Sequence, residues 1–121
     1  MRHVIITAVL LSCSLIGPSN AVAQDARRPA AHWGTFTKNA SLQNCLSFTR
    51  DALREKGYKL DETHGYIRIG ENAKVIVQVV CIPIDGSKTS VTVSAFSSDS
   101  KTAELARNAI RESISRAGRF D

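Results

Sequence analysis

Apolar and β-branched residues are most concentrated in residues 74–84, and a second segment of similar character spans residues 89–96. The turn Asp85-Gly86-Ser87 separates the two segments, so the pattern predicts a β-hairpin. Side chains alternate across a strand, which gives each strand two distinct faces. In the first strand one face carries Val75, Val77, Val79 and Cys81, and the other carries Ile76, Gln78, Val80, Ile82 and Ile84.

The register of this hairpin decides which side chains meet in the core. With an odd number of loop residues, Cys81 lies opposite Val91 and Gln78 stays on the outer face. The alternative is a two-residue Asp85-Gly86 turn, a favoured hairpin type that would draw Gln78 inward. Burying an unpaired amide costs about 1–3 kcal/mol, so we predict the odd loop.

Two segments show helical spacing of apolar residues. The first helix is predicted over residues 42–56, with Ser41 as N-cap and Gly57 just past its end. The second is predicted over residues 101–117, with its cap in the polar segment from Ser98 to Ser100 and its end at Gly118.

Shorter strands are predicted at residues 33–38, 58–62 and 66–69, and Gly70-Glu71-Asn72 is predicted as a turn before the long hairpin. The element order is then β-α-β-β-β-β-α. This order indicates an α+β fold, a two-layer sandwich in which an antiparallel sheet of about five strands carries two helices on one face.

The first 23 residues have the features of an export signal. Arg2 precedes an apolar segment at residues 4–16, and Ala21-Val22-Ala23 is a small-x-small cleavage site. The apolar segment is too short to span a membrane. A lipid anchor at Cys13 is a competing interpretation that we consider weaker, because a good cleavage site follows it.

The chain therefore divides into a signal peptide at residues 1–23, a flexible tail at residues 24–32 and a single α+β domain at residues 33–121. Without Arg2 the formal charge falls from +5 to +4, because 15 basic residues then face 11 acidic ones. These charges are interspersed and lack basic runs with aromatics, which argues against a nucleic-acid partner. We expect a periplasmic or secreted location.

Cys45 and Cys81 are the only cysteines that remain after processing. Cys45 lies on the apolar stripe of the first helix and Cys81 on the predicted inner face of the long strand. Because export leads to an oxidising compartment, we predict a disulfide between them, worth about 4 kcal/mol for a loop of this length. A metal site is not expected, since only His32 and His64 could join them and no ligand spacing is present.

No pattern of catalytic residues is found in the sequence. No serine stands in a Gly-x-Ser-x-Gly motif, and His64 beside Gly65 is typical of a turn. Asp61 and Glu62 are adjacent, so a strand would direct them to opposite faces. We therefore expect neither an enzyme nor a bound cofactor.

The face of the sheet opposite the helices is the candidate partner surface. A contiguous apolar patch rimmed by hydroxyl groups favours association with a protein partner or a second copy. The alternative is that the N-terminal segment, with Trp33 or Phe36, folds over this face, or that the long strand is simply central and apolar. The patch consists of Ile76, Val80, Ile82 and Phe96, bordered by Gln78, Ser90, Thr92 and Ser94.

A second hypothesis is a protein that binds a small ligand or an envelope polymer such as a glycan or polyanion. Its contacts would be Trp33, Tyr58, Tyr66 and Arg68. A lone tryptophan is more often a partly buried anchor than a ligand platform, and we expect that of Trp33. A third hypothesis is an enzyme inhibitor or accessory protein of the envelope.

Four features occur together in this chain: the signal peptide, Cys45 within the first helix, Glu55-Lys56-Gly57-Tyr58 at the end of that helix, and Cys81 late in a long strand. In this combination the chain resembles small exported bacterial proteins of unknown function. The resemblance covers most of the chain after the signal peptide. It implies neither an activity nor a functional residue.

Overall fold

The computed structural model describes residues 29–61 and 65–118. The predicted signal peptide, most of the predicted tail, Cys13 and His64 lie outside the described residues. The described part contains five strands and two helices in the predicted order β-α-β-β-β-β-α. The elements are β1 (Ala30–Lys38), α1 (Leu42–Glu55), β2 (Lys59–Leu60), β3 (Ile67–Glu71), β4 (Ile76–Pro83), β5 (Thr89–Ser97) and α2 (Ser100–Arg116).

The five strands form one antiparallel sheet in the order β1-β5-β4-β3-β2. The predicted α+β class is confirmed, whereas the strand order could not be derived from the sequence. β1 begins at Ala30 rather than Trp33, because β5 continues to Ser97 and pairs with Ala30. Residues 30–32 of the predicted tail therefore belong to the sheet.

The predicted register of the long hairpin is confirmed. Cys81 lies opposite Val91, and Gln78 lies opposite Ser94 on the outer face. The backbone N–H of Ile84 donates to the carbonyl of Lys88 at 2.9 Å and closes the loop. Within it, the Asp85 carboxylate accepts hydrogen bonds from the backbone N–H and the hydroxyl of Ser87, which lower the pKa of Asp85.

Both helices are capped by side chains at their N-termini. Ser41 is the predicted cap of α1, and its hydroxyl accepts from the Asn44 backbone N–H at 3.2 Å. Asp99 caps α2, and its carboxylate accepts from the Thr102 backbone N–H at 2.9 Å and from the Thr102 hydroxyl. These hydrogen bonds favour the ionised form and lower the pKa of Asp99.

The core lies between the helices and the inner face of the sheet. Its central part is the predicted disulfide: Cys45 of α1 and Cys81 of β4 are bonded, fully buried, and 6.3 Å apart between Cα atoms. The apolar residues around it come from both helices and from β4 and β5. They include Leu46, Leu53, Val77, Val79, Val91, Val93, Ala103, Ala106, Ile110 and Ile114.

Two residues of the predicted turn, Gly70 and Glu71, lie instead within a strand. Gly70 belongs to β3, pairs with Val77 and is buried. A Cβ atom at this position would lie 2.9 Å from the Tyr58 Cβ and 3.0 Å from the Leu53 Cδ2. Gly70 is therefore explained by the close approach of α1 and the following residues to the strand, and not by turn geometry.

Candidate functional site on the open face of the sheet

The face of the sheet turned away from both helices is here called the open face. Cross-strand pairing places Trp33 beside Ser94, Ser94 beside Gln78, and Gln78 beside Ile69, so the face extends across four strands. No element of the described residues packs over it. Its members include Ala31, Trp33, Thr35, Thr37, Ile67, Ile69, Ile76, Gln78, Val80, Ile82, Ser90, Thr92, Ser94, Phe96 and the charged Glu71, which pairs with Ile76.

Several large apolar side chains of the open face are solvent-exposed. Trp33 is 68% exposed, Ile82 52%, and Ile76 47%. Phe96 is also exposed, at 37%, and Val80 is half-buried between its neighbours. Burial of such a side chain contributes about 1.5–3 kcal/mol. Covering this face with a partner would therefore release more free energy than covering a polar sheet face.

The four residues of the predicted patch lie on one face of the sheet, in two groups separated by Gln78. Ile76 pairs directly with Phe96, while Val80 and Ile82 follow on the same face of β4. The structure adds Ile67 and Ile69, because β3 pairs with β4 in a register that places both on the open face. Their alternation with Arg68 is visible in the sequence, but their position beside the patch depends on strand order.

Trp33 is not the partly buried anchor that was expected. It lies on β1, the outer strand, and its side chain projects from the open face. Phe36, on the opposite face of β1, packs against the core instead. The N-terminal strand thus extends the sheet sideways and places Trp33 at the margin of the open face, without covering that face.

The four candidate ligand contacts do not converge on one site. Arg68 pairs with Val79, on the helix side of the sheet, and its guanidinium donates to the carbonyls of Ile67 and Gly65. Tyr58 packs against the core, and burial raises its pKa. Trp33 lies on the other face and three strands away from β3, which corresponds to about 14 Å. Tyr66 precedes β3 and is exposed.

A cleft of about 520 Å³ lies where β1 and α2 end, between Phe36 and Phe48. Lys38 is buried in its wall and donates to the carbonyls of Ser115 and Ala117 at 2.9 and 2.5 Å. Its ammonium group also lies 5.5 Å from the centre of the Phe48 ring. The positive charge therefore caps the C-terminal end of α2, where the helix dipole is negative.

We expect the substitution Lys38→Met to lower the free energy of unfolding by about 2 kcal/mol, because the last carbonyls of α2 lose a charged donor. Lys59→Met, at an exposed lysine of β2, is the matched control and should change stability by less than about 0.5 kcal/mol. Urea denaturation followed by circular dichroism measures both. Equal stabilities for the two variants would contradict a capping role for Lys38.

Among residues 29–61 and 65–118, no group of three or more His, Cys, Asp or Glu side chains could hold a metal ion. None of the described helices is long and apolar enough to cross a membrane. Comparison of the sequence with protein-family models and with curated proteins found no match. The function is therefore inferred from the surfaces of the fold itself.

Proposed function

We propose that the protein is an exported, non-catalytic interaction module that binds a protein partner or a second copy of itself through the open face. The observation that carries this proposal is the set of apolar side chains Ile76, Val80, Ile82 and Phe96 on one sheet face, with Ile69 beside the intervening Gln78 and Trp33 at the margin. Apolar side chains of this size, exposed side by side on a rigid sheet, are typical of surfaces that are covered in a complex.

The buried disulfide supports the export part of the proposal. Cys45 and Cys81 are bonded within the core, and disulfides of this kind persist in oxidising compartments. Together with the signal-like residues 1–23, this favours the periplasm or the extracellular space over the cytoplasm. An inhibitory or accessory role would use the same open face. The ligand-binding hypothesis is less well supported, because its four candidate contacts lie apart.

We expect the substitution Ile82→Glu to abolish association while leaving the fold intact. A carboxylate at a half-exposed position of the open face costs little in the monomer but would be desolvated in a complex. The oligomeric state is measured by light scattering after size exclusion, using the chain from Gln24 onward over a wide concentration range. Capture of envelope proteins by the immobilised wild type and variant is the second readout.

Leu105→Glu is the matched control, because Leu105 is an equally exposed apolar residue on α2, away from the open face. It should retain association. Equal association of the two variants would contradict the proposal. An unfolded Ile82→Glu variant would show that Ile82 serves the fold and not a partner, and circular dichroism on both variants decides this point.

A further inference from the structure

The outer edge of β1 offers a row of backbone groups that no described strand pairs with. β1 is nine residues long and stands at the end of the strand order, next to β5 alone. An edge strand of this length that pairs in continuous register is a template for another extended chain. The other edge, β2, is only two residues long.

The direction of the backbone groups of β1 follows from the register. The backbone N–H of Cys81 donates to the carbonyl oxygen of Tyr66. The N–H and C=O groups of odd-numbered β4 residues therefore point to β3, and those of even-numbered β4 residues point to β5. In β5 the backbone groups of odd-numbered residues then point to β1, where they pair with the backbone groups of its even-numbered residues. The N–H and C=O groups of Ala31, Trp33, Thr35 and Thr37 consequently point outward from the sheet.

One of these outward carbonyls already has a charged partner. The guanidinium of Arg107, on α2, donates to the carbonyl oxygen of Trp33 at 3.0 Å. It reaches this edge across Gly34, where an added Cβ would lie 3.7 Å from the Arg107 Nη1. A positive side chain at an edge discourages unselective strand pairing, and it favours a strand that brings negative charge.

A shallow groove of about 490 Å³ runs between this edge and α2. Arg111 lines it, and its guanidinium lies 5.6 Å from the centre of the Phe36 ring. Glu112 also lines the groove, but it pairs with Arg116 at 2.6 Å. Two basic side chains flank the edge, Arg107 and Arg111. Neither forms an ion pair with a carboxylate of the described residues.

We propose that the outer edge of β1 binds an extended segment of a partner protein in which acidic and apolar residues alternate. The segment adds a sixth strand by hydrogen bonding to the outward groups of β1, and the Arg107 guanidinium leaves the Trp33 carbonyl for a carboxylate of the segment. Its acidic side chains point to the helix side, where Arg107 and Arg111 lie, and its apolar side chains lie beside Trp33 on the open face. This site adjoins the partner surface proposed above at Trp33, but its backbone hydrogen bonds to β1 do not depend on that surface.

Charge favours such a segment over a second copy of this chain. Antiparallel pairing of two β1 strands would bring the Arg107 and Arg111 side chains of the two copies side by side, because α2 runs along the same edge in each copy. Like charges in that position oppose association. Carboxylates on alternate residues of a foreign strand would instead meet the two guanidinium groups.

Capped peptides with four Val-Glu repeats or four Val-Lys repeats test the proposal, with the chain from Gln24 onward labelled for NMR. The Val-Glu peptide should bind and should slow hydrogen exchange at the amides of Ala31, Trp33, Thr35 and Thr37, which point away from the sheet. The Val-Lys peptide should bind at least about tenfold more weakly, and raising the salt concentration should weaken the Val-Glu complex.

The substitution Thr35→Pro removes one outward N–H at a position where an edge strand tolerates proline. It should weaken binding of the Val-Glu peptide by about tenfold, because one backbone hydrogen bond to the peptide is lost and the adjacent hydrogen bonds are weakened. Thr35→Val is the matched control: it keeps the N–H but removes the hydroxyl that lies 2.9 Å from the Thr92 hydroxyl. This control should bind like the wild type.

If Thr35→Pro fails to fold, a Val-Glu peptide that is N-methylated on its valines serves instead, since it keeps the charge but cannot donate to β1. Loss of binding by that peptide supports strand addition. Equal binding of the Val-Glu and Val-Lys peptides, or binding that survives N-methylation or Thr35→Pro, overturns the proposal. Self-association through β1 without any peptide would also overturn it, in favour of a second copy.

Discussion

Reduction of the Cys45–Cys81 disulfide is expected to lower the free energy of unfolding by about 4 kcal/mol. The crosslink closes a loop with a sequence separation of 36 and so restricts the unfolded chain strongly. It also ties α1 to β4, whose core residues Val77, Val79 and Cys81 pair with core residues of β5. Against the roughly 5–15 kcal/mol that stabilises ordinary domains, this loss is large enough to unfold a small one near body temperature.

Urea denaturation of the chain from Gln24 onward, with and without a thiol reductant, measures this loss. The double substitution Cys45→Ala with Cys81→Ala is the comparison that separates the crosslink from the packing of the two sulfur atoms. It should be at least as destabilised as the reduced protein, since it also leaves small cavities in a fully buried region. An unchanged urea midpoint after reduction would show that the crosslink contributes nothing to stability.

The substitution Gly70→Val is expected to cost about 3 kcal/mol. The first added atom would meet the Tyr58 Cβ at 2.9 Å and a Leu53 methyl group at 3.0 Å, and the valine methyl groups would extend further into the same space. Tyr58 meets the glycine with an atom next to its own backbone, so it can yield only if the chain after α1 moves. The expected result is loss of packing between α1 and β3.

Gly86→Val is the matched control, because no atom lies within 4 Å of a Cβ at Gly86 in the hairpin loop. This variant should change the free energy of unfolding by less than about 0.5 kcal/mol. Thermal unfolding of both variants under oxidising conditions gives the comparison. Similar melting temperatures for Gly70→Val and the wild type would mean that α1 can retreat from the strand without loss.

Short sequence patterns predicted the elements that depend on interactions between neighbouring residues. The cap at Ser41 and the helix ends at Gly57 and Gly118 depend on backbone hydrogen bonding and on positive φ angles of 83° and 73° at the two glycines. The hairpin register was predictable because the alternative register would have buried the Gln78 side chain at a cost in free energy. The pairing of Cys45 with Cys81 followed from there being only two cysteines beyond the predicted cleavage site.

Gly70 shows where local patterns fail. A glycine between a short strand and an asparagine has the appearance of a turn, and nothing near it in sequence reveals that Leu53 approaches from α1. Trp33 is a second example. Whether a tryptophan is buried depends on which strand lies next to its own, and among the described strands β1 pairs only with β5, at the edge of the sheet.

The amino-acid sequence by itself determined the α+β class, the disulfide, the hairpin register and the shared face of Ile76, Val80, Ile82 and Phe96. Each of these depends on alternation or spacing within a short segment, on the order of the elements along the chain, or on the number of available partners. Only the tertiary structure decided the strand order, the position of Gly70 under α1, the addition of Trp33, Ile67 and Ile69 to the open face, and the contact between Arg107 and the outer edge of β1. These features depend on contacts between residues far apart in the chain, such as Trp33 and Arg107, and no local preference specifies which of them come together.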